Sequence, residues 1–240
     1  MSTAENDKTS WPMGFLVNEN VSGPGQDWIE KFSGIPASWV SDCIGRSVGT
    51  LGLNTYHNDV GLTVCGRAIT VTVRPGDNLL LQKAIDMAGP GDIIVVDGGA
   101  DRTQALIGGN MRATALRRKI TAFIIDGAIR DLVDWAEGGI GIWARAHTHR
   151  GPGKEGPGKI NVPISCAGMS VMPGDLIVAD ADGAVAIPVE ELSRVWELVQ
   201  KQREKEDKAR KANIAGTADP ERYNATLRAK GCPIPLPDQN

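Results

Sequence analysis

Residues 90–100 read PGDIIVVDGGA. Pro90-Gly91-Asp92 are turn formers: proline presets its own φ, glycine accepts left-handed backbone, and aspartate can bond nearby amides. Ile93, Ile94, Val95 and Val96 follow without a polar break, and Asp97-Gly98-Gly99 ends the run. A strand with one wet face alternates apolar and polar residues. An unbroken apolar strand is buried on both faces, as in the middle of a layered sheet. Residues 173–183, PGDLIVADADG, repeat the pattern. The two units predict similar ladders in one β-rich core; they are too few and too far apart for a solenoid.

The neighbouring segments supply the rest of an α/β design. Leu62–Val73 alternates apolar with small or polar residues, as a strand does. Pro75-Gly76-Asp77 is a turn, and Asn78–Ala88 sets Leu79, Leu80, Lys83, Ala84 and Met87 at helical spacing. Ser33–Arg46 reads as a loop and then a helix that Ser41 or Asp42 caps or punctuates. Ala113–Lys119 is predicted helical and 121–126 a strand; Leu132-Val133-Asp134-Trp135 opens a short helix. Residues 150–159, RGPGKEGPGK, form a Gly/Pro loop. Val189–Ala212 is a long helix with Leu192, Val195, Trp196 and Val199 on its apolar face. Its second half is almost all charged, which marks a solvated face or one that reaches a neighbouring subunit. The expected division is an N-terminal arm over 1–26, a domain over 27–200, and a charged helix end with a Pro-rich tail over 201–240.

Composition narrows the function. The chain has 240 residues, 41% apolar, 23% charged, with 29 glycines and a net charge of −3. It can bury a sizeable core, and no basic excess calls for nucleic acid or an anionic membrane. No apolar run approaches the roughly 20 residues of a membrane span. The N-terminus lacks a signal-peptide pattern, so a soluble cytoplasmic protein is expected. Cys43, Cys65, Cys166 and Cys232 are widely separated, which argues for buried or free thiols in a reducing compartment rather than a zinc site.

Three stretches can carry chemistry. Gly108-Gly109-Asn110-Met111 precedes a helix. Its amides suit an anion, although a plain loop-to-helix junction reads the same way. It is neither a P-loop nor a dinucleotide fingerprint. Arg130-Asp131 closes AFIIDGAIRD (122–131) at the end of a buried strand, where α/β folds place ligand groups. Arginine can grip a carboxylate with two bonds, and aspartate suits a hard divalent cation. The bland alternative is a surface pair in which Asp131 caps the following helix. His147-Thr148-His149 in a strand would place two rings on one face, but no third metal ligand stands nearby. His57 is the remaining histidine. No serine sits in a nucleophile elbow and no cysteine pairs with a histidine, which disfavours a covalent hydrolase.

Taken together, PGDIIVVDGG, GGNM before a helix, DGAIRD and PGDLIVADADGAVAIP resemble the RraA-like family, which includes the class II 4-hydroxy-4-methyl-2-oxoglutarate (4-carboxy-4-hydroxy-2-oxoadipate) aldolases. The likeness spans roughly 33–188, with SDCIGR and NVPISCAG fitting as well. The resemblance implies an α/β/β sandwich of the swivelling β/β/α kind, here with a long C-terminal helix. It implies a homotrimer or a homohexamer made of two trimers, with active sites between subunits. It also implies Mg²⁺ or Mn²⁺ on Asp131, a keto acid held by Arg130, and a pyruvyl carboxylate on the amides of Asn110 and Met111 in the turn that begins Gly108-Gly109. Aldolases of this kind usually carry Asp or Glu twenty-one residues before the arginine, and Gly109 stands there. The base would then come from elsewhere: Glu206 of a neighbouring subunit, His147 or Asp126. Non-enzymatic relatives that inhibit a ribonuclease tend to lose the aspartate of the Arg-Asp pair, which this chain keeps. The resemblance therefore implies a divalent-metal lyase acting on a 2-keto acid with a further carboxylate, through pyruvate enolate. A regulatory binding protein and a metal enzyme of another reaction type, such as a hydratase or isomerase, stand as the alternatives.

Overall fold

The computed structural model describes residues 11–235, which fall into two compact units divided between Glu197 and Leu198. The elements of the first unit are β1 (Phe15–Val17), α1 (Gln26–Phe32), α2 (Ala37–Cys43), β2 (Asn54–Thr55), β3 (Val64–Val73), α3 (Leu79–Met87), β4 (Asp92–Ile107) and α4 (Gly109–Arg117). They continue with β5 (Ala122–Ile129), α5 (Leu132–Ala136), β6 (Gly141–His147), β7 (Gly158–Ile160), β8 (Ile164–Cys166), β9 (Met169–Val171), β10 (Leu176–Asp180) and β11 (Gly183–Ile187). Helix α6 (Leu192–Ile214) begins in the first unit, and the division falls within it. The second unit also contains α7 (Asn224–Ala229).

One large sheet runs β1-β7-β3-β4-β5-β6-β2, and β10 joins it through β3 and carries β11. The centre is parallel: β3 pairs β4, β4 pairs β5, and β5 pairs β6. Parallel neighbours need crossovers, and α3, α4 and α5 supply them. The opening stretch is the middle of this sheet. Successive residues of β4 and β5 point to opposite faces. Ile94, Val96, Phe123 and Ile125 meet Leu81, Ile85, Ala115 and Trp135 of the helices. Ile93, Val95, Ala122 and Ile124 meet the other side, where the β8–β9 hairpin adds Ile164, Cys166, Met169 and Val171. These are the helix layer, the sheet and the second β layer of an α/β/β sandwich. The unbroken apolar run exists because both faces of β4 are covered, and Ile93 to Val96 are all fully buried.

The repeated Pro-Gly-Asp units share one local device. Asp92 Oδ2 accepts the amide of Gly89 and Asp175 Oδ2 that of Met172, each at 2.8 Å. Each carboxylate closes its own turn from three residues on. Their strands differ in sense: β4 runs parallel to β3, whereas β10 runs antiparallel along the other edge of β3.

Several boundaries differ from the sequence reading. Helix α4 begins at Gly109, four residues before the expected start, because the glycines cost helix propensity without preventing the first turn. Strand β5 runs on to Ile129 rather than ending at 126. Strand β6 stops at His147, so His147 and His149 do not share a strand face. Within the expected N-terminal arm, Phe15–Val17 pairs with β7 as a parallel strand. At the other end of the unit, Phe32 of α1 packs edge-on against Trp196 of α6, with ring centroids 5.3 Å apart.

Candidate active site

The site is at the carboxyl ends of β4 and β5. Its pocket is lined by Leu106–Gly108, Asn110, Met111, Arg130 and Asp131, with Asn78 and Pro152 added from two loops. The structure thus brings together the glycine turn and the Arg-Asp pair, which lie apart in the chain. A register slip of one residue between β4 and β5 would separate them. The ladder from Ile93↔Ala122 to Ile107↔Ile129 fixes it, with irregularities that absorb the longer β4.

Arg130 is clamped through its main chain. Its N–H donates to Ile107 O at 3.0 Å, and its carbonyl accepts Trp135 Nε1 at 2.9 Å. Trp135 is fully buried, so the bond ties the end of β5 to the helix-side core. The guanidinium extends toward the Gly/Pro loop, where a side chain on Gly151 would sit 3.1 Å from its Nη1. That loop is itself fixed. Ala105 N–H bonds Arg150 O at 2.9 Å, Asn78 N–H bonds Gly153 O at 3.0 Å, and Glu155 N–H bonds Asp77 Oδ2 at 2.7 Å.

Asp131 has left-handed backbone, φ 61° and ψ 51°, which costs a non-glycine residue about 1 kcal/mol, least for Asp and Asn. It stands at the N-cap of α5, as the capping alternative expected, but its side chain makes no cap bond to that helix. Instead the left-handed turn aims the carboxylate at α4, where Oδ2 accepts the N–H of Gly109 at 2.9 Å. Arg130 Nε lies 3.6 Å from the same oxygen. Asp131 therefore caps the neighbouring helix, and its negative charge sits at the positive end of that helix dipole.

The glycines make this approach possible. A Cβ on Gly108 would lie 2.3 Å from Asp131 Oδ2 and 2.9 Å from Arg130 Cγ. On Gly109 it would lie 1.7 Å from Asp134 Oδ2. Of the amides expected to hold a carboxylate, Met111 N–H donates to Gly108 O at 3.1 Å. Asn110, second in the helix, is among the residues whose amides a helix leaves without an internal acceptor. Asn78, which the sequence marks only as the start of a helix, is buried and donates from Nδ2 to Leu106 O at 2.9 Å and to Met111 Sδ at 3.3 Å.

The other base candidates lie elsewhere. Asp126 is on the β-layer face of the sheet, where it accepts Arg145 Nε and, at 2.9 Å, Ala167 N–H. It is fully engaged and holds the β8–β9 turn against the sheet. His147 is paired in register with Ile129, next to Arg130, and its Nδ1 lies 3.4 Å from Tyr56 Oη. Glu206 is on the second unit's part of α6, where it accepts Gln202 Nε2 at 3.0 Å.

Among the described residues, no three His, Cys, Asp or Glu side chains are grouped to enclose a metal. A hard divalent cation that keeps most of its water needs only one or two carboxylates. The donors here are of that kind: half-exposed Asp131 and, over the next glycine, Asp134. The residues present fit Mg²⁺ or Mn²⁺ in chemistry and number. Among the described residues, no helix is long and apolar enough to cross a membrane.

Comparison with known proteins identifies the family. Residues 37–186 match the RraA-like family, described as Aldolase/RraA. A Halalkalibacterium halodurans protein provisionally named a 4-hydroxy-4-methyl-2-oxoglutarate aldolase is 38% identical over 189 residues, covering 79% of this chain and 89% of its own. A Thermus thermophilus protein named 4-hydroxy-4-methyl-2-oxoglutarate aldolase is 37% identical over 51% of this chain and 74% of its own. Among solved structures, the RNA-processing inhibitor RraA from Thermus superposes with a TM-score of 0.57 at 30% identity, over 64% of this chain and 92% of that one. The chain belongs to the RraA-like family.

Proposed function

We propose that this protein is a divalent-cation-dependent lyase that cleaves a 2-keto acid bearing a further carboxylate. The single observation behind this reading is the convergence of Arg130, Asp131 and the first turn of α4 on one pocket. The names of the two aldolase relatives support it.

In retro-aldol cleavage or decarboxylation, the bond to the carbon next to the keto group breaks and its electron pair flows into the carbonyl. The other fragment leaves as a second carbonyl compound, its hydroxyl giving up a proton, or as CO₂; the pyruvate enolate left behind takes a proton to become pyruvate. A bound Mg²⁺ or Mn²⁺ would supply Lewis-acid stabilisation of the oxygen that gains charge. Asp131 would hold that cation. Arg130, fixed by Ile107 and Trp135, would donate to the keto acid and add its charge where the enolate forms. The amide of Asn110 would orient the carboxylate at the positive end of α4. Asn78 and Pro152 would shape the far wall. The proposed assembly is a trimer or a pair of trimers, with Glu206 of a neighbouring subunit handling the proton.

The test is pyruvate release from 4-hydroxy-4-methyl-2-oxoglutarate and from oxaloacetate, with Mg²⁺ or Mn²⁺ present and after chelation. The expected result is cation-dependent turnover that Arg130→Ala lowers by about 10²–10³ in kcat, the loss typical of one preorganised donor. Absence of release from both substrates would overturn the reading. The likeness to the Thermus RNA-processing inhibitor favours a second reading, a binding protein with a vestigial site. That reading expects no divalent-cation binding that depends on Asp131.

A further inference from the structure

Gly108 and Gly109 are consecutive, and each of the two side-chain positions they lack is filled by a carboxylate from the same short segment. Asp131 Oδ2 occupies the first. Asp134 occupies the second: a Cβ on Gly109 would lie 1.7 Å from its Oδ2, 2.9 Å from its Cγ and 3.6 Å from its Cβ. The overlap involves the whole end of the Asp134 side chain, so no residue but glycine at 109 leaves it in place.

The two acids are held differently. Asp131 has Gly109 N–H and Arg130 as partners. The Asp134 carboxylate takes part in no hydrogen bond or ion pair among the described residues, while its backbone N–H bonds Asp131 O at 3.1 Å. That bond fixes the spacing of the two residues within one turn. Two like charges at neighbouring positions repel each other. The dipole of α4 offsets part of the repulsion, and a cation beside them would offset more.

We propose that Asp134 is the second carboxylate of the cation site, a positioning residue that adds its charge beside Asp131 from the space a residue-109 side chain would fill. The inference rests on the cation-dependent reading given above. It explains how a chain with glycine at 109 keeps two acidic groups at the start of α4: the second acid comes from α5 instead of α4. Asp134 lies one step outside the pocket lining, so its part is to set charge and orientation rather than to touch substrate.

The test is Mn²⁺ binding to the intact protein, read by electron paramagnetic resonance and calorimetry without substrate, for five proteins: wild type, D131N, D134N, D134A and the double variant G109D/D134A. Removing a group that orients a ligand typically costs 10–100-fold in metal affinity. D134N and D134A are expected to weaken Mn²⁺ by that factor, and G109D/D134A to recover to within about threefold of wild type by moving the acid from α5 to α4. A merely structural role for Asp134 would not be rescued by relocation. Unchanged affinity in D134N, alongside loss in D131N, would overturn the inference and leave the lyase reading standing. Failure of G109D/D134A to exceed D134A would also overturn it; D134N, which keeps the size of the side chain, separates that outcome from misfolding. A wild-type protein that binds no Mn²⁺ would sink both.

Discussion

At residue scale the decisive feature is the backbone of Asp131. Left-handed φ at a non-glycine residue is a strained choice, and here it turns a carboxylate from its own helix α5 toward α4. Asn tolerates that conformation nearly as well as Asp; Ala does not. D131N is therefore expected to lose Mn²⁺ binding with a melting temperature close to wild type. D131A should lose binding and also about 1 kcal/mol of stability, measured by urea unfolding. Equal stability of the two variants would contradict the strain argument. The Arg-Asp pair was legible as a candidate because it ends a buried strand. Its partners were not. Asp134 and Asn78 carry no motif, and only the fold shows that one fills the space above a glycine and the other bonds a strand carbonyl.

Among the elements, the site depends on how two core layers hold β5. On the helix side, Trp135 Nε1 holds the Arg130 carbonyl. W135F keeps the ring packing against Phe123 and removes that bond. It should cost about 1 kcal/mol in stability and lower kcat more than it raises KM, since the proposed role of Arg130 is at the oxygen where charge develops. On the β-layer side, Asp126 is bonded by Arg145 and Ala167. R145M would leave that buried carboxylate unpaired, a loss of about 3 kcal/mol, while Mn²⁺ affinity stays unchanged. A drop in Mn²⁺ affinity with R145M would show that the two faces of β5 are coupled, against the present account. The central strands were readable because a strand covered on both sides has no polar alternation. Boundaries near the site were not, because α4 starts on glycines and β6 ends within the His-Thr-His stretch.

For the molecule as a whole, pH provides a separate check on the fold. His57 is buried against Trp143 of β6, with ring centroids 4.7 Å apart, and its Nδ1 lies 3.1 Å from both the carbonyl oxygen and the N–H of Ile142. Burial pushes the ring's pKa below its ordinary 6.5, against weaker opposing effects of Ile142 and Asp59. With the folded pKa depressed, this contribution to stability is present above about pH 6.5 and is lost as pH falls through the folded value. The melting temperature should fall on going from about pH 7.5 to 5.5, and His57→Gln should flatten that slope. An unchanged slope in the variant would contradict the assignment.

The proposed function makes Arg130, Asp131 and the start of α4 one enolate-binding site. A crystal soaked with Mg²⁺ and oxalate, a planar stand-in for pyruvate enolate, tests it most directly. Cation density is expected at Asp131, with oxalate between Arg130 and the Gly108–Met111 turn. Oxalate and cation bound elsewhere, or no density at this pocket in a crystal whose site is open to solvent, would contradict it.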